Sequence, residues 1–285
     1  MSSLQPRPGH WLLRCPLCKS GFTGAVGALV CRNGHSFDLA REGYVNLLSS
    51  RSRRPAAGGD SPAQLANRAE FLDAGHLDAV VATIAAHVEK AAHLSRHILD
   101  AGSGTGHHLA RIATRLPGSV IGLGLDISKD AARQAARRWP TRAFAVADLW
   151  AEWPVHDAAA DLVLSIFAPK NFSEMARVLR PGGWLALAYP GAKHLIELRD
   201  RFGLLRQDEE SPGRYVNMAT RLVGPSSVTR FNRRAVLDPA MARAMILMGP
   251  NARHVDPSIL DVGPRPLAVT FDINVLFARK PERKS

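Results

Sequence analysis

Short apolar segments alternate with amphipathic ones along most of the chain from residue 96 onward. Apolar runs of about five residues predict buried strands, and the longer segments between them carry apolar residues at helical spacing. Because parallel strands need a helical crossover, this alternation predicts an α/β fold, with a mostly parallel sheet and helices on both of its faces. The predicted strands are 97–101, 120–125, 143–147, 162–166 and 184–188, and the predicted helices are about 106–116, 129–139, 172–179 and 192–203.

Two helices are predicted before this region and two further elements after it. Ser61-Pro62 forms a helix start, with an N-cap side chain followed by proline in the first turn, and Gly75 marks the end of that helix. A second helix is predicted at about 77–92. Later in the chain, a helix is predicted near 238–248 and a strand at 267–277, whose internal alternation favours an antiparallel edge position.

The composition is that of a globular chain with an excess of positive charge. The chain has 285 residues, of which 46% are hydrophobic, and this predicts one or two domains with a sizeable core. No apolar run reaches membrane-spanning length and the polar N-terminus does not resemble a signal peptide, so we expect a cytoplasmic protein without membrane partners. The net charge of +12 favours a polyanionic partner such as RNA, although an arginine-rich genome or a need for solubility gives the same excess.

Residues 49–62 are rich in arginine, glycine and serine, and this composition predicts a mobile basic linker. Arg51, Arg53 and Arg54 are candidates for contacts with substrate phosphates, although a solvated loop has the same composition. We therefore divide the chain into a zinc-binding segment (1–48), the linker (49–62) and a larger domain (63–285).

All three cysteines of the chain lie in one N-terminal stretch that ends in a histidine. Two residues separate Cys15 from Cys18, and three separate Cys31 from His35. This spacing is typical of tetrahedral zinc sites, and Asn33-Gly34 supplies a sharp turn between the last two ligands. The alternative is three buried thiols near a surface histidine. Four protein ligands leave no open position for water, so we predict a structural zinc ion that holds a small module together.

A glycine-rich turn follows the first predicted strand. Gly102, Gly104, Thr105 and Gly106 come directly after Asp100 and open a helix. Glycines let the backbone approach a ligand closely, and a helix N-terminus favours negative charge. The G-x-G-x-G pattern differs from the more widely spaced pattern that binds a pyrophosphate, so it favours a nucleoside cofactor over a dinucleotide.

Two more aspartates follow the next two predicted strands. Asp126 is placed to accept hydrogen bonds from both ribose hydroxyls, and Asp148 suits an adenine amino group and ring face. Because the carboxyl ends of parallel strands share one crevice, Asp100, Asp126 and Asp148 are predicted to lie together. Each alone is also consistent with a helix N-cap or a surface acid. In register, the three match S-adenosylmethionine-dependent methyltransferases, which residues 179–184 also resemble.

Several segments resemble the bacterial 23S rRNA guanine-N1 methyltransferases, which act on a hairpin near the peptide exit tunnel. The resemblance runs over nearly the whole chain, and residues 37–48 are its most specific part. Residues 106–111 resemble the Gram-positive branch, which includes the tylosin-resistance methyltransferases, whereas Ser103 departs from the residues usual at its position. Besides the cysteine and histidine ligands, the segments that carry the resemblance are 37–48, 71–76, 166–169 and 190–198.

This resemblance implies a Rossmann-like class I methyltransferase domain with a mostly parallel seven-stranded sheet, preceded by a zinc module for RNA recognition. It also implies a homodimer, methylation of guanine N1 in 23S rRNA and, in this branch, resistance to tylosin-type macrolides. Cofactor contacts are implied for Leu77, for the Gly104-Thr105 turn and for His194. Taken alone, His194 is typical of a surface residue at a helix N-terminus.

The segment after the fourth strand is where related methyltransferases bind the target base. Phe167 is a candidate for stacking on the guanine, although core packing explains it equally well. Asn171 is a candidate for contact with the base edge, although a helix N-cap explains it better. The residue that removes the N1 proton is not identified by the sequence.

Two other functions remain open. A methyltransferase for a small molecule is disfavoured by the zinc module and the basic linker. A non-catalytic RNA-binding protein is disfavoured by the intact glycine turn with Asp126.

Overall fold

Two β-sheets of different size organise the chain, of which the computed structural model describes residues 4–48, 59–90, 97–205, 211–258 and 260–282. The small sheet is antiparallel and has three strands, β1 (Phe22–Ala25), β2 (Ala28–Cys31) and β3 (Ser36–Asp38). A two-residue turn joins β1 to β2, and its Gly27 has a φ of +79° that favours glycine.

The large sheet has eight strands: β4 (Tyr44–Asn46), β5 (His97–Ala101), β6 (Ile121–Asp126), β7 (Ala143–Val146), β8 (Ala160–Ile166), β9 (Leu179–Pro190), β10 (Ser226–Leu237) and β11 (Leu267–Arg279). Their order is β10-β11-β9-β8-β5-β6-β7-β4. Strands β4 to β9 pair in parallel, and β11 runs against both of its neighbours. The carboxyl ends of six parallel strands therefore lie at one edge, which confirms the predicted α/β class.

Three features of the sheet differ from the prediction. It has eight strands rather than seven, because β4, which lies within the N-terminal segment, pairs in parallel with β7. The strand predicted at 267–277 is antiparallel but not at the edge, because β10 covers its outer side along twelve residue pairs. The polar sequence of β10 has mostly exposed side chains, so no apolar alternation marks it.

Eight α-helices lie in the described parts of the chain: α1 (Pro62–Asp73), α2 (Asp78–Lys90), α3 (His107–Ala113), α4 (Lys129–Arg138), α5 (Phe172–Val178), α6 (Ile196–Phe202), α7 (Ser211–Leu222) and α8 (Pro239–Leu247). The predicted start of α1 is confirmed, since Ser61 Oγ accepts a hydrogen bond from Gln64 N (3.2 Å) while Gln64 Oε1 accepts one from Ser61 N (3.0 Å). No single helix of these residues is long and apolar enough to cross a membrane, and only the pair α1–α2, bent by 70°, meets that test together.

Alternate residues of the central strands point into two separate apolar cores. On β8, Leu162 and Leu164 lie in the core beneath α1 to α4, α6 and α8, whereas Val163 lies in the core beneath α5 and α7. This second core also contains Leu13 and Leu29 of the N-terminal segment. The zinc-binding segment is therefore part of the packing on one face of the large sheet.

Arg7 fastens the N-terminal segment to the large sheet. Its guanidinium donates hydrogen bonds to the carbonyl oxygens of Arg142 (2.7 Å), Glu42 (2.6 Å) and Ala136 (3.2 Å). Nearby, a Cβ placed on Gly9 would lie 2.3 Å from the carbonyl oxygen of Gly122 in β6, so the backbone there packs directly on the sheet. The Arg7 side chain thus links the N-terminal segment to three places: residue 42 just before β4, residue 136 in α4 and residue 142 just before β7.

We predict that Arg7→Met lowers the free energy of unfolding by about 2–3 kcal/mol, because three partly buried carbonyls lose a charged donor. Urea denaturation of the full chain measures the change. Arg41→Met is the matched control, since the Arg41 side chain is 87% exposed. Equal unfolding midpoints for the two variants would contradict this role of Arg7.

Candidate cofactor cavity and metal centre

The four predicted zinc ligands come together in one cluster. The ligand atoms of Cys15, Cys18, Cys31 and His35 all lie within 4.8 Å of one another. The Sγ atoms of Cys18 and Cys31 are 3.6 Å apart, and His35 Nδ1 is 3.6 Å from Cys15 Sγ and 3.4 Å from Cys31 Sγ. A tetrahedron with metal–ligand bonds of about 2.0–2.3 Å has edges of about 3.3–3.8 Å, so these three distances fit a zinc ion.

Local backbone structure places these ligands. Cys15 and Cys18 lie in a turn before β1, where the backbone N–H of Lys19 donates to the Cys15 carbonyl at 2.9 Å. Cys31 ends β2, and the N–H of Gly34 donates to its carbonyl at 2.9 Å. Of the predicted Asn33-Gly34 turn, only Gly34 has a positive φ, at +79°. Because the cluster provides four protein ligands, its role is structural.

A cavity of about 410 Å³ opens at the carboxyl edge of the large sheet, where the glycine turn leads from β5 into α3. Five of the nine residues predicted for the cofactor line it: Leu77, Gly102, Gly104, Thr105 and His194. The turn is tight, since Gly102, Gly104 and Gly106 have φ values of +86°, +52° and +74°. A Cβ on Gly102 would lie 2.3 Å from Ala168 Cβ, so this position must be glycine.

Asp126 holds the glycine turn in place. Its Oδ2 accepts a hydrogen bond from Gly104 N (2.8 Å), and its Oδ1 accepts one from Ser128 N (2.8 Å). Asp100 is buried beneath the turn, and its Oδ2 has no hydrogen-bond partner among the described residues. Burial and the nearby Asp126 raise the pKa of Asp100 to about 7. A buried acid with one unpartnered oxygen, next to a turn made for close approach, fits a positively charged nucleoside cofactor.

The structure does not place Asp148 in the cavity. Its Oδ1 accepts a hydrogen bond from Trp150 N (2.9 Å), so the side chain closes its own turn. Asn171 also lies outside the cavity lining, as the N-cap of α5, where its Oδ1 accepts from Glu174 N (3.3 Å). Its amide donates to the carbonyl of Leu149 (3.2 Å), so both ends of the amide are engaged.

The candidate arginines of the linker, Arg51, Arg53 and Arg54, lie outside the described residues.

His194 and Phe167 face each other across the cavity. Their ring centroids are 6.0 Å apart, with an angle of 24° between the ring planes. Phe167 is 40% exposed and has a φ of +52°, whereas His194 is 6% exposed. His194 lies just before α6, which begins two residues later, but it is buried rather than on the surface, as the alternative explanation of its position would have it. Burial lowers the pKa of His194 to about 4, so its ring is neutral at pH 7, and its Nδ1 has no partner among the described residues.

Sequence reasoning missed most of the polar side chains that line the cavity. Arg68 of α1 forms an ion pair with Asp60 and donates to the carbonyl of Met248 at 2.7 Å, which joins α1 to α8. Lys170, Tyr189 and Tyr215 line the opposite side. Only Tyr189, at the carboxyl end of β9, carries a signal in the sequence, because strand ends were expected to bear functional groups. Lys170 directly follows the segment 166–169 at the end of β8 but was not singled out, and Arg68 and Tyr215 are brought in by tertiary packing.

Comparisons with known proteins match both parts of the chain. Residues 13–54 match a zinc-ribbon family model described as the N-terminal part of RlmA, and residues 98–183 match a model described as a methyltransferase domain. The crystal structure of the YcgJ protein of Bacillus subtilis has a TM-score of 0.50, covering 69% of this chain and 97% of its own at 16% identity. This likeness shows the fold.

Two relatives match nearly the whole chain. A Micromonospora griseorubida protein named "Putative 23S rRNA (guanine-N(1)-)-methyltransferase" is 41% identical, over 87% of this chain and 89% of its own. A 23S rRNA (guanine(748)-N(1))-methyltransferase of Streptomyces fradiae is 40% identical, over 87% of this chain and 88% of its own.

The order of the strands and the cavity at their carboxyl edge are those of a class I methyltransferase, joined here to a zinc ribbon. Because two relatives are 41% and 40% identical over 87% of the chain and nearly nine-tenths of their own length, the chain belongs to the family of 23S rRNA (guanine-N1)-methyltransferases. The family, the fold and the two cofactors, S-adenosylmethionine and structural zinc, are confirmed.

For the metal centre, we predict that Cys15→Ser loses stoichiometric zinc and unfolds residues 11–38, because metal binding and folding of such modules are coupled. Since Cys15 is buried in the core shared with the large sheet, the unfolding midpoint of the whole chain should fall as well. Zinc content by elemental analysis and denaturation measure both effects. Arg32→Ser, at an exposed position of the same module, is the control; full zinc retention by the cysteine variant would contradict the assignment.

Proposed function

We propose that this protein transfers a methyl group from S-adenosylmethionine to N1 of a guanine in 23S rRNA. The observation that carries the proposal is the identity of 40–41% to two relatives along 87% of the chain. The net charge of +12 supports an RNA substrate. Because one relative is named for guanine 748, the equivalent nucleotide is the first candidate target.

Residues around the glycine turn would hold the cofactor. The backbone of Gly102 to Gly106 would contact it closely, and Leu77 and His194 would contact it from the sides of the cavity. Each oxygen of Asp126 has one backbone donor and keeps a second lone pair for a ribose hydroxyl. Asp148 remains a proposed adenine contact although it does not line the cavity, since Trp150 N engages only one of its two carboxylate oxygens. When bound, S-adenosylmethionine supplies an electrophilic methyl group.

The protein's own task is to present N1 of the guanine. N1 lies on the Watson–Crick edge, so the base must be unpaired or flipped out of the hairpin. Phe167 is the exposed aromatic ring at the cavity and would stack on the extruded base. Alignment of N1 with the methyl group then contributes most of the rate enhancement, because the reaction is a displacement between held partners.

The remaining parts of the proposal follow from the family resemblance and the sequence. We expect a homodimer, which sedimentation equilibrium of the full chain tests, and a cytoplasmic location, where ribosomal RNA is modified. We also expect resistance to tylosin-type macrolides, which inhibitory concentrations in strains with and without the gene test. The basic residues 49–62 and the zinc module are proposed to bind the RNA hairpin. Asn171 is proposed to act as the N-cap of α5 rather than as a contact with the base.

Primer extension on ribosomal RNA tests the reaction. A strain without the gene should lose one stop in 23S rRNA, and the purified protein with S-adenosylmethionine should restore it, because N1 methylation blocks base pairing. An unchanged stop in the deletion strain contradicts the proposal. Methylation of free metabolites but never of RNA favours a small-molecule enzyme, and RNA binding without cofactor binding favours a non-catalytic protein.

For the cofactor site, we predict that Asp126→Asn weakens S-adenosylmethionine binding by roughly tenfold, because charge-assisted hydrogen bonds at this carboxylate are lost. Titration calorimetry measures the affinity, and the unfolding midpoint shows whether the turn survives. Asp130→Asn is the control, since Asp130 lies four residues later and pairs on the surface with Arg133. Unchanged affinity in the Asp126 variant would remove this residue from the site.

A further inference from the structure

Lys170 is a partly buried lysine at the cavity whose role neither the fold nor the cofactor explains. It follows the segment 166–169, and its Nζ donates a hydrogen bond to the Ala168 carbonyl at 2.8 Å. The same Nζ lies 4.9 Å from the centre of the Tyr215 ring. Lys170 therefore lines the cavity on the side of Phe167, the ring proposed to stack on the guanine.

No carboxylate of the described residues forms an ion pair with Lys170. Glu174, the nearest acid along α5, is held by Arg177 at 2.6 Å and by Trp153 N at 2.7 Å. Burial in these apolar and aromatic surroundings lowers the pKa of Lys170 to about 8. About one-tenth of the side chain is then the neutral amine at pH 7, and this fraction rises with pH; the neutral amine is the form that accepts a proton.

The other titratable and charged groups at the cavity are less suited to accept a proton from guanine N1. These groups are Arg68, His107, His108, Tyr189, His194 and Tyr215. Arginine and neutral tyrosine are poor bases, and burial lowers the pKa values of His108 and His194 to about 3 and about 4. Burial lowers the pKa of His107 as well, and its Nδ1 lies 3.4 Å from a carboxylate oxygen of Asp73. Asp100 lies beneath the glycine turn and does not line the cavity.

We propose that the amine of Lys170 is the general base of the methyl transfer, a role that rests on the proposed function. The N1–H bond breaks and its proton goes to Nζ. The N1 electron pair forms the new C–N bond to the methyl group, while the C–S pair stays on sulfur and leaves S-adenosylhomocysteine. The resulting ammonium is held by the Ala168 carbonyl and the Tyr215 ring, and it then returns its proton to water.

Single-turnover methylation of the rRNA hairpin by the full chain tests this role. Lys170→Met and Lys170→Arg should each slow the reaction by roughly 10²- to 10³-fold, because neither side chain accepts a proton, while cofactor and RNA affinities change by about twofold or less. The matched control is Lys129→Met, at an exposed position on α4. The wild-type rate should rise with pH as Lys170 loses its proton, and this rising limb should be absent in Lys170→Met.

Chemical rescue gives a second measurement if Lys170→Met fails to fold. Small primary amines should restore part of the rate of Lys170→Ala, with more basic amines more effective. Full activity of Lys170→Arg would overturn the proposal in favour of a purely electrostatic contact, and an unchanged rate with weaker cofactor binding would overturn it in favour of a cofactor contact. If the wild-type protein methylates no RNA, the proposed function itself fails. If the variants methylate N1 at the full rate, only the proposed role of Lys170 as general base fails.

Discussion

One carboxylate connects the elements that form the cavity. Asp126 accepts hydrogen bonds from Gly104 N in the glycine turn and from Ser128 N at the start of α4. Ser128 Oγ then caps α4 by accepting from Ala131 N and donates to the carbonyl of Asp60, just before α1. The ends of β5 and β6 and the starts of α1 and α4 are thereby fixed relative to one another. Because all these bonds involve backbone groups, the turn can be shaped without large side chains that would occupy the cofactor's space.

The zinc ribbon and the methyltransferase sheet form one packed unit in the described residues. Leu13 and Leu29 of the ribbon share a core with Leu99 and Leu123 of β5 and β6. Trp153, which is fully buried, lies in the same core. Metal binding therefore contributes to the face of the sheet opposite α1 to α4, as well as to the ribbon itself. A zinc ribbon attached in this way keeps a fixed position relative to the cavity.

Local signals in the sequence predicted the parts of the structure that local geometry determines. The spacing of Cys15 to His35 was sufficient to predict the metal cluster. The glycine turn and Asp126 were predicted because glycines allow close backbone approach and the carboxyl ends of parallel strands share one crevice. His194 was recognised only through the family, since nothing in its neighbourhood indicates burial. Arg68 was missed because packing of α1 against α8 brings it to the cavity, whereas Lys170 directly follows the segment 166–169 and was not singled out there. The strand β10 was missed because most of its side chains are exposed, so its sequence lacks the apolar alternation that predicts a strand.

The position of β4 has a consequence for how the protein is made. Residues 44–46 emerge early in synthesis, but their partners 144–146 in β7 emerge about a hundred residues later. Until then the N-terminal strand has no template in the large sheet, so completion of this edge is a late, non-local step of folding. A chain shortened to begin after residue 48 would also leave the β7 edge bare, with unpaired backbone groups and an uncovered apolar face beside it. Such an edge is prone to pair with other chains, so the N-terminal segment also guards the enzyme against aggregation.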